Sequence, residues 1–239
     1  MSDHLSKEVK AVINPPFWDS YRYVSVRLRK VYEKLIPSLL ENSNKVDVLD
    51  YGCGVKPYYY LFGNQINKYI GVDVGSNPFA DDLIQPGAAL KYADNSFDIV
   101  LSSQVLEHVE DVNQYMSEIK RVLRPGGIVL LSTHGTWQYH ASPYDYQRWT
   151  SMGLKTLMKK YGFEVKNFVP ILGQLAVTSQ LRLSFFDSFA NMIGIAGRII
   201  IAPLAIIYQL KMRIEDKITP QRVKERDSAY YVISAINKK

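Results

Sequence analysis

The stretch Val46-Asp-Val-Leu-Asp-Tyr-Gly-Cys-Gly54 carries apolar residues into an acid and a pair of glycines, and a second apolar run, Tyr69 to Val72, ends at Asp73. Read as two strands, the pattern puts Gly52 and Gly54 in a tight turn where a ligand meets backbone with no Cβ in the way. Asp73 then projects at the carboxyl end of the neighbouring strand. A carboxylate there accepts hydrogen bonds from two ribose hydroxyls, so the pair suits a nucleoside cofactor. Cys53 inside the turn and Val74 after the acid fall within reach of the same ligand. A dinucleotide fits poorly: the third glycine of that fingerprint is replaced by Pro57, and Asp50 would set an anion beside a pyrophosphate. A ligand with an ammonium and a sulfonium suits Asp50 better.

A second constellation lies between Ser132 and Trp149, a loop with two of the four histidines and two of the three tryptophans. His140 is the first choice for a base that takes a proton from an acceptor, with Asp145 orienting it, because an imidazole titrates near 6.5. His134 is the alternative base, and Arg148 joins the candidate catalytic set. The competing reading of Asp145 and Arg148, three residues apart, is an ion pair that fixes the loop. Trp137 and Trp149 suit either stacking on a sugar face or plain burial.

The glycine turn and Asp73, followed by Asn95-Ser-Phe-Asp98-Ile-Val-Leu101, Val105-Leu-Glu-His-Val109 and Arg121-Val-Leu-Arg-Pro-Gly-Gly127, resemble the class I S-adenosylmethionine-dependent methyltransferases, of the type 11 kind, over roughly residues 45 to 170. The resemblance implies S-adenosyl-L-methionine as cofactor, held by Asp50, Gly52, Cys53, Gly54, Asp73, Val74, Ser103 and Gln104. It also implies an acidic or amide group near the adenine after the third strand, for which Asp82 is the choice and Asp81 the alternative. In such enzymes the leading helix packs beside the cofactor, so Tyr21 and Arg22 are expected either over its methionine end or in ordinary packing. The run His140, Pro143, Asp145, Tyr146, Arg148, Trp149, Thr150 further resembles a subgroup found with polysaccharide and glycolipid assembly.

The elements that position these residues follow from periodicity. Tyr21, Val24, Leu28, Val31, Tyr32 and Leu35 recur at three and four, predicting an amphipathic helix from Ser20 to about Ile36 that Pro37 ends or kinks. A short helix is expected from Lys56 to Phe62, a strand over Ala80 to Ile84, and a central parallel strand over Phe97 to Leu101. Val112 to Leu123 carries one apolar stripe, Pro125-Gly-Gly turns the chain into a strand over Ile128 to Leu131, and Thr150 or Ser151 caps a helix that Gly162 closes. Strands follow at Phe163 to Val169 and Ala229 to Ala235, the last antiparallel by resemblance. Glu107 and His108 are read as residues that start a helix, because neighbours on a helix point about 100° apart and share one ion badly. No metal is predicted.

The expected fold is α/β: a Rossmann-like methyltransferase sheet, mostly parallel, its last strand antiparallel and preceded by a helical insertion. The segments are residues 1–41 as an amino-terminal helical part, 42–169 with 229–239 as the core, and 170–228 as the insertion. Roughly sixty residues separate the last two strands, against about two to five in an ordinary hairpin. The insertion contains the apolar stretch Phe189 to Leu210, interrupted by Arg198, Asn191, glycines and a proline, with Lys211, Arg213 and Lys217 beside it. A lid or dimer surface, or a helix lying on a membrane, fits this better than a span.

Of 239 residues 47% are hydrophobic and 22% charged, the composition of one globular domain with an appendage. The net charge of +6 belongs to the carboxyl-terminal part: residues 1–150 hold 15 Lys and Arg against 17 Asp and Glu, residues 151–239 hold 14 against 6. No dense basic run points to nucleic acid. One cysteine excludes an intrachain disulfide, and an amino terminus without an apolar run leads to a cytoplasmic expectation, with peripheral membrane contact as its variant. The function expected is methyl transfer to a hydroxyl of a small molecule, sugar or lipid-linked glycan. The alternatives are a carbon or nitrogen acceptor, and a noncatalytic scaffold of the same fold.

Overall fold

A computed structural model describes residues 5–41 and 44–238. Residues 1–4, 42–43 and 239, which open or close the three expected segments, lie outside the described residues. Two helices lead, α1 (Lys7–Ile13) and α2 (Arg22–Leu40). The sheet is built from β1 (Val46–Tyr51), β2 (Ile66–Val74), β3 (Asp82–Ile84), β4 (Phe97–Ser103), β5 (Leu123–His134), β6 (Phe163–Gly173) and β7 (Ser228–Asn237). Their order is β3-β2-β1-β4-β5-β7-β6; β1 to β5 are parallel, and β7 runs antiparallel between β5 and β6. This is the α/β sheet of the methyltransferase fold.

Alternation along the central strands divides the core. Val48, Ile99, Leu101 and Leu130 face the side covered by α2, whereas Leu49, Val100, Val129 and Leu131 face α3 (Val112–Val122) and α4 (Ser151–Lys160). Both faces are therefore buried, which is why the β4 run is nearly continuous in apolar residues. Asp111 caps α3 by accepting from the Gln114 backbone, and Thr150 caps α4 by accepting from Gly153.

Two expectations are corrected. The helix α2 runs through Pro37 to Leu40. Pro37 and Glu33 are both exposed, so the carbonyl deprived of its helical partner faces solvent, while Ile36 and Leu40 remain anchored in the core. Lys56 to Phe62 holds one turn of 3₁₀ helix, Tyr59–Leu61, followed by another at Gly63–Gln65, and the aromatic run packs down on α2, with Tyr58 stacked on Tyr32 at 4.0 Å. Strand and helix do not alternate early on: residues 75–81 and 85–96 link β2 to β3 and β3 to β4 without a helix.

The excursion between β6 and β7 forms α5 (Gln174–Met192), α6 (Ile195–Ile218) and the short α7 (Gln221–Arg226). The apolar stretch read as one segment is broken at Gly194, whose φ of +67° reverses the chain into a helical hairpin. A Cβ on Gly197 would stand 1.9 Å from the Ala190 carbonyl oxygen, so the helices approach at a distance only glycine permits. Asp216 fastens α6 to the body. It is buried, accepts from the Gly173 backbone at 3.1 Å, and lies 3.3 Å from Arg27 on α2 and 3.2 Å from Lys224 on α7.

Replacing Asp216 by alanine leaves two cations and a buried N–H without their acceptor. The expected loss is about 3–5 kcal/mol in urea unfolding; a loss below about 1 kcal/mol would show that the insertion is held otherwise.

Candidate functional site

The carboxyl ends of β1, β2, β4 and β5 converge, and the chemistry-bearing residues gather there. Gly52 has a φ of +82°, and a Cβ on it would stand 2.3 Å from a methyl of Val105, so the turn is pressed against the segment after β4. The Gly52 and Cys53 backbone amides donate to the Val72 carbonyl at 2.8 and 3.1 Å, locking the turn onto β2. Gly54 is different: a Cβ there would meet nothing within 4 Å, so this backbone borders open space.

Asp73, half-buried at the end of β2, accepts from the Gly54 amide at 2.9 Å, from Asn77 at 2.6 Å and from the Val74 amide at 2.8 Å. At the end of β4, Gln104 has a φ of +58° and donates through its amide to Ser132 Oγ at 2.8 Å. Its Oε1 is buried without a partner, an orphaned acceptor beside the turn. Ser132 Oγ is a knot: it also accepts from the Gln104 backbone and from Tyr32 on α2, and lies 3.3 Å from Ser103 Oγ. Open backbone at Gly54, a carboxylate at Asp73 and an unpartnered carbonyl at Gln104 fit a nucleoside that carries a cationic tail.

Other expected ligand residues have protein partners of their own. Asp50 is buried under the turn and accepts from the Tyr69 hydroxyl at 2.6 Å; burial pushes its carboxyl up to about 7, so it supports the turn from below. Cys53 is likewise turned inward, its thiol pushed up to about 12 by burial and the nearby Asp50. Asp82 is held by Lys91 and Tyr92, because its pairing with Val72 sets it on the Val72 face of the edge strand. Asp81 accepts from Lys56 at 2.6 Å and from the Gly71 amide at 2.7 Å. Arg22 donates to the Pro15 carbonyl, away from the turn, while Tyr21 accepts from Gln138 at 2.9 Å and so reaches the acceptor loop.

In the loop after β5, Asp145 does not orient the His140 imidazole. It accepts from the His140 backbone at 2.6 Å and from both terminal nitrogens of Arg148 at 2.5 Å; the guanidinium holds its carboxyl down to about 2. Arg148 also donates to the carbonyls of Trp137, Gln138 and Gln147, so this pair clasps the loop. What the loop presents is a group of imidazoles: His140 lies 5.7 Å from His108 and 5.9 Å from His134, ring centre to ring centre. Behind them sits Glu107, which was not singled out for chemistry. It lies in a 3₁₀ turn just past β4, not at the start of an α-helix, and is fully buried. Its Oε2 accepts from Thr133 at 2.8 Å; its Oε1 stands 3.4 Å from His134 Nδ1 and 3.9 Å from His108 Nε2. An acid immediately after a strand that ends at a ligand site was the available signal.

Burial pushes Glu107 up to about 7 and His134 down to about 2, and both shifts favour neutral forms. Burial, and then His108, lower His140 as well, so its imidazole is a neutral acceptor of protons near pH 7. His134 forms a cluster with Trp137 and Tyr230, at 5.7 and 4.7 Å, which themselves lie 4.8 Å apart and close the site on the β7 side with an aromatic wall. Among the described residues no group of His, Cys, Asp or Glu is arranged to hold a metal ion.

Residues 49–131 match the methyltransferase domain family. A probable S-adenosylmethionine-dependent methyltransferase of Mycolicibacterium smegmatis is 32% identical over 136 residues, which are 51% of this chain and 53% of that protein. The human thiol S-methyltransferase TMT1B is 26% identical over 149 residues, 56% of this chain and 57% of its own length. The chain thus spans a little over half the length of these curated relatives. Among solved structures, the [4+2]-cyclase SpnF superposes with a TM-score of 0.59 at 20% identity, covering 92% of this chain and 83% of its own. Phosphoethanolamine N-methyltransferase 2 of Haemonchus contortus, with S-adenosylhomocysteine bound, gives 0.57 at 15% identity over 92% of this chain and 57% of its own. Residues 49–131 are thus similar to a methyltransferase domain, the sheet has the fold of the solved S-adenosylmethionine-dependent neighbours, and the turn fits S-adenosylmethionine as cofactor.

Two measurements test this geometry. Asp73→Ala removes the ribose acceptor and is expected to weaken S-adenosylhomocysteine binding by roughly tenfold or more in calorimetry, since each lost charged hydrogen bond is worth about 1.5–3 kcal/mol; a change within about twofold would displace Asp73 from the site. Glu107, raised from 4.5 to about 7, stabilises the fold fully below 4.5 and loses that contribution as pH rises through 7. Glu107→Gln does not titrate, so its stability relative to the parent should climb across this window by up to about 3 kcal/mol in urea melts. A difference that stays flat with pH would mean the carboxyl is ionised throughout.

Proposed function

We propose that the chain methylates a hydroxyl group of a sugar-containing or lipid-linked acceptor, with His140 as the base. The observation that carries this reading is the set of imidazoles, His140, His134 and His108, gathered around buried Glu107 at the ends of β4 and β5. A hydroxyl is a weak nucleophile until its proton leaves, so a positioned neutral base is worth more to it than to an amine or a thiolate. Trp137, half-buried against the buried Tyr230 and 6.4 Å from Tyr21, offers a flat apolar face of the kind sugars stack on.

Asp73, the Gly52 to Gly54 turn and Gln104 would hold the cofactor, which supplies an electrophilic methyl group on a sulfonium. The remaining work belongs to the chain. His140, the exposed member of the group, takes the acceptor proton; Glu107 and His134 fix the floor beneath it; and Arg148 with Asp145 holds the loop that carries it. Alignment of acceptor and methyl group supplies the larger share of rate, and the base adds about 10²–10⁴-fold.

Transfer of labelled methyl groups to nucleotide sugars and to lipid-linked glycans, screened with the purified protein, tests the reading. His140→Ala is expected to lower turnover by about 10²-fold or more while S-adenosylhomocysteine binding stays within about twofold, and the parent rate should fall as pH drops below the ordinary imidazole range. An unchanged rate would remove His140 as base; a rate indifferent to pH would favour a carbon or nitrogen acceptor.

A further inference from the structure

The helical hairpin of α5 and α6 turns an apolar surface outward. On α6 the buried stripe Gly197, Ile201, Ala205, Met212, Asp216 packs inward, and a second stripe, Ile199, Ile207, Leu210, Ile214 and Ile218, is exposed along the opposite side. With 24 residues at about 1.5 Å each, α6 presents this stripe over some 36 Å. The hairpin tip continues it, with Met192 at 83% and Ile195 at 80% exposure, and Phe185 and Phe189 extend it onto α5. An apolar face of this extent marks an interaction surface.

Charge decides the occupant. The acids of α6 turn inward, Glu215 accepting from Ser179 at 2.6 Å and Asp216 buried, whereas Arg198, Arg213 and Lys217 are exposed beside the apolar stripe. Apolar residues bordered by cations complement an anionic lipid surface. Two copies related by a two-fold axis would instead bring the same cations together. The window of α6 that is apolar enough to cross a membrane is also the helix whose inner stripe is packed and whose Asp216 is tied to Arg27, Lys224 and Gly173. Crossing would strand those groups in hydrocarbon. Lying flat leaves them in place.

We infer that the α5–α6 hairpin docks the protein peripherally on an anionic membrane, with its tip and the Ile199 to Ile218 stripe entering the headgroup boundary. The surface adjoins the acceptor side. A cleft of about 670 Å³ runs between the hairpin and the amino-terminal segment, lined by Trp18, Tyr21, Asn191, Ile195 and Arg198, and Tyr21 reaches Gln138 in the acceptor loop. An acceptor with an apolar anchor could leave the bilayer by this route, which narrows the proposed substrate class to lipid-linked hydroxyls; the docking itself does not rest on that reading.

Cosedimentation of the full chain with phosphatidylcholine vesicles, with and without about one third phosphatidylglycerol, tests the inference. Partition is expected to be on the order of tenfold stronger on the anionic vesicles and to weaken as salt is raised. Arg213→Glu with Lys217→Glu should lower it by on the order of tenfold, and Ile199→Glu with Ile207→Glu should abolish it. Circular dichroism and S-adenosylhomocysteine binding, read on both variants, keep a folding defect apart from a docking defect. Equal behaviour of parent and variants, no pelleting with either vesicle, salt-resistant attachment, or a dimer by light scattering that Ile199→Glu with Ile207→Glu dissolves would each overturn it. Loss of docking with intact cofactor binding would leave the methyl-transfer proposal standing on its own evidence of turnover.

Discussion

A carboxyl taken out of water must be neutralised or fully partnered, and Glu107 does some of each. Its side chain leans on Thr133 and faces His134 and His108, and its backbone carbonyl accepts from the amides of Tyr146 and Gln147. One residue thus ties the end of β4 to the end of β5 and to the far part of the loop that follows β5. The Trp149 amide, donating to the His134 carbonyl at 3.0 Å, closes the same circuit from the other end. The long irregular loop is therefore as well determined as a strand connection, with Arg148 and Asp145 clasping its middle.

The amino-terminal segment links this centre to the helical hairpin. Tyr32 reaches Ser132 below the cofactor turn, and Tyr21 reaches Gln138 above it. On the other side Gln180 donates to the Ser20 carbonyl, Ser20 donates to Asp187 at 2.7 Å, and Gln209 donates to the carbonyls of Phe17 and Asp19. Residues 17–21 are consequently held by α5 and α6 and themselves hold the acceptor loop. A handful of directed hydrogen bonds thus joins the hairpin, residues 17–21 and the loop after β5.

What could be read from sequence alone was whatever is local. The Phe97 to Leu101 run, the Thr150 cap, the Gly52 turn and the acid at Asp73 each state their geometry within a few residues, and all appear where periodicity and turn chemistry put them. The resemblance added β7, which periodicity could propose as a strand but not orient. Features set by distant partners were not legible. Glu107 gains its character from Thr133 and His134, and Asp82 is captured by Lys91 and Tyr92, whereas the Asp145–Arg148 pair, three residues apart, was one of the two readings the sequence offered.

The two rims of the sheet are finished in different ways. At one, β3 is only three residues long and carries Asp82 locked to Lys91 and Tyr92; at the other, β6 places Pro170 opposite Tyr231 and Lys166 in the exposed row. A three-residue ladder with a fixed charge offers little for another strand to copy, and a proline interrupts the donors along β6. The molecule is thereby guarded against growing by strand addition, which leaves its helical side as the place where it can associate without risking a fibre.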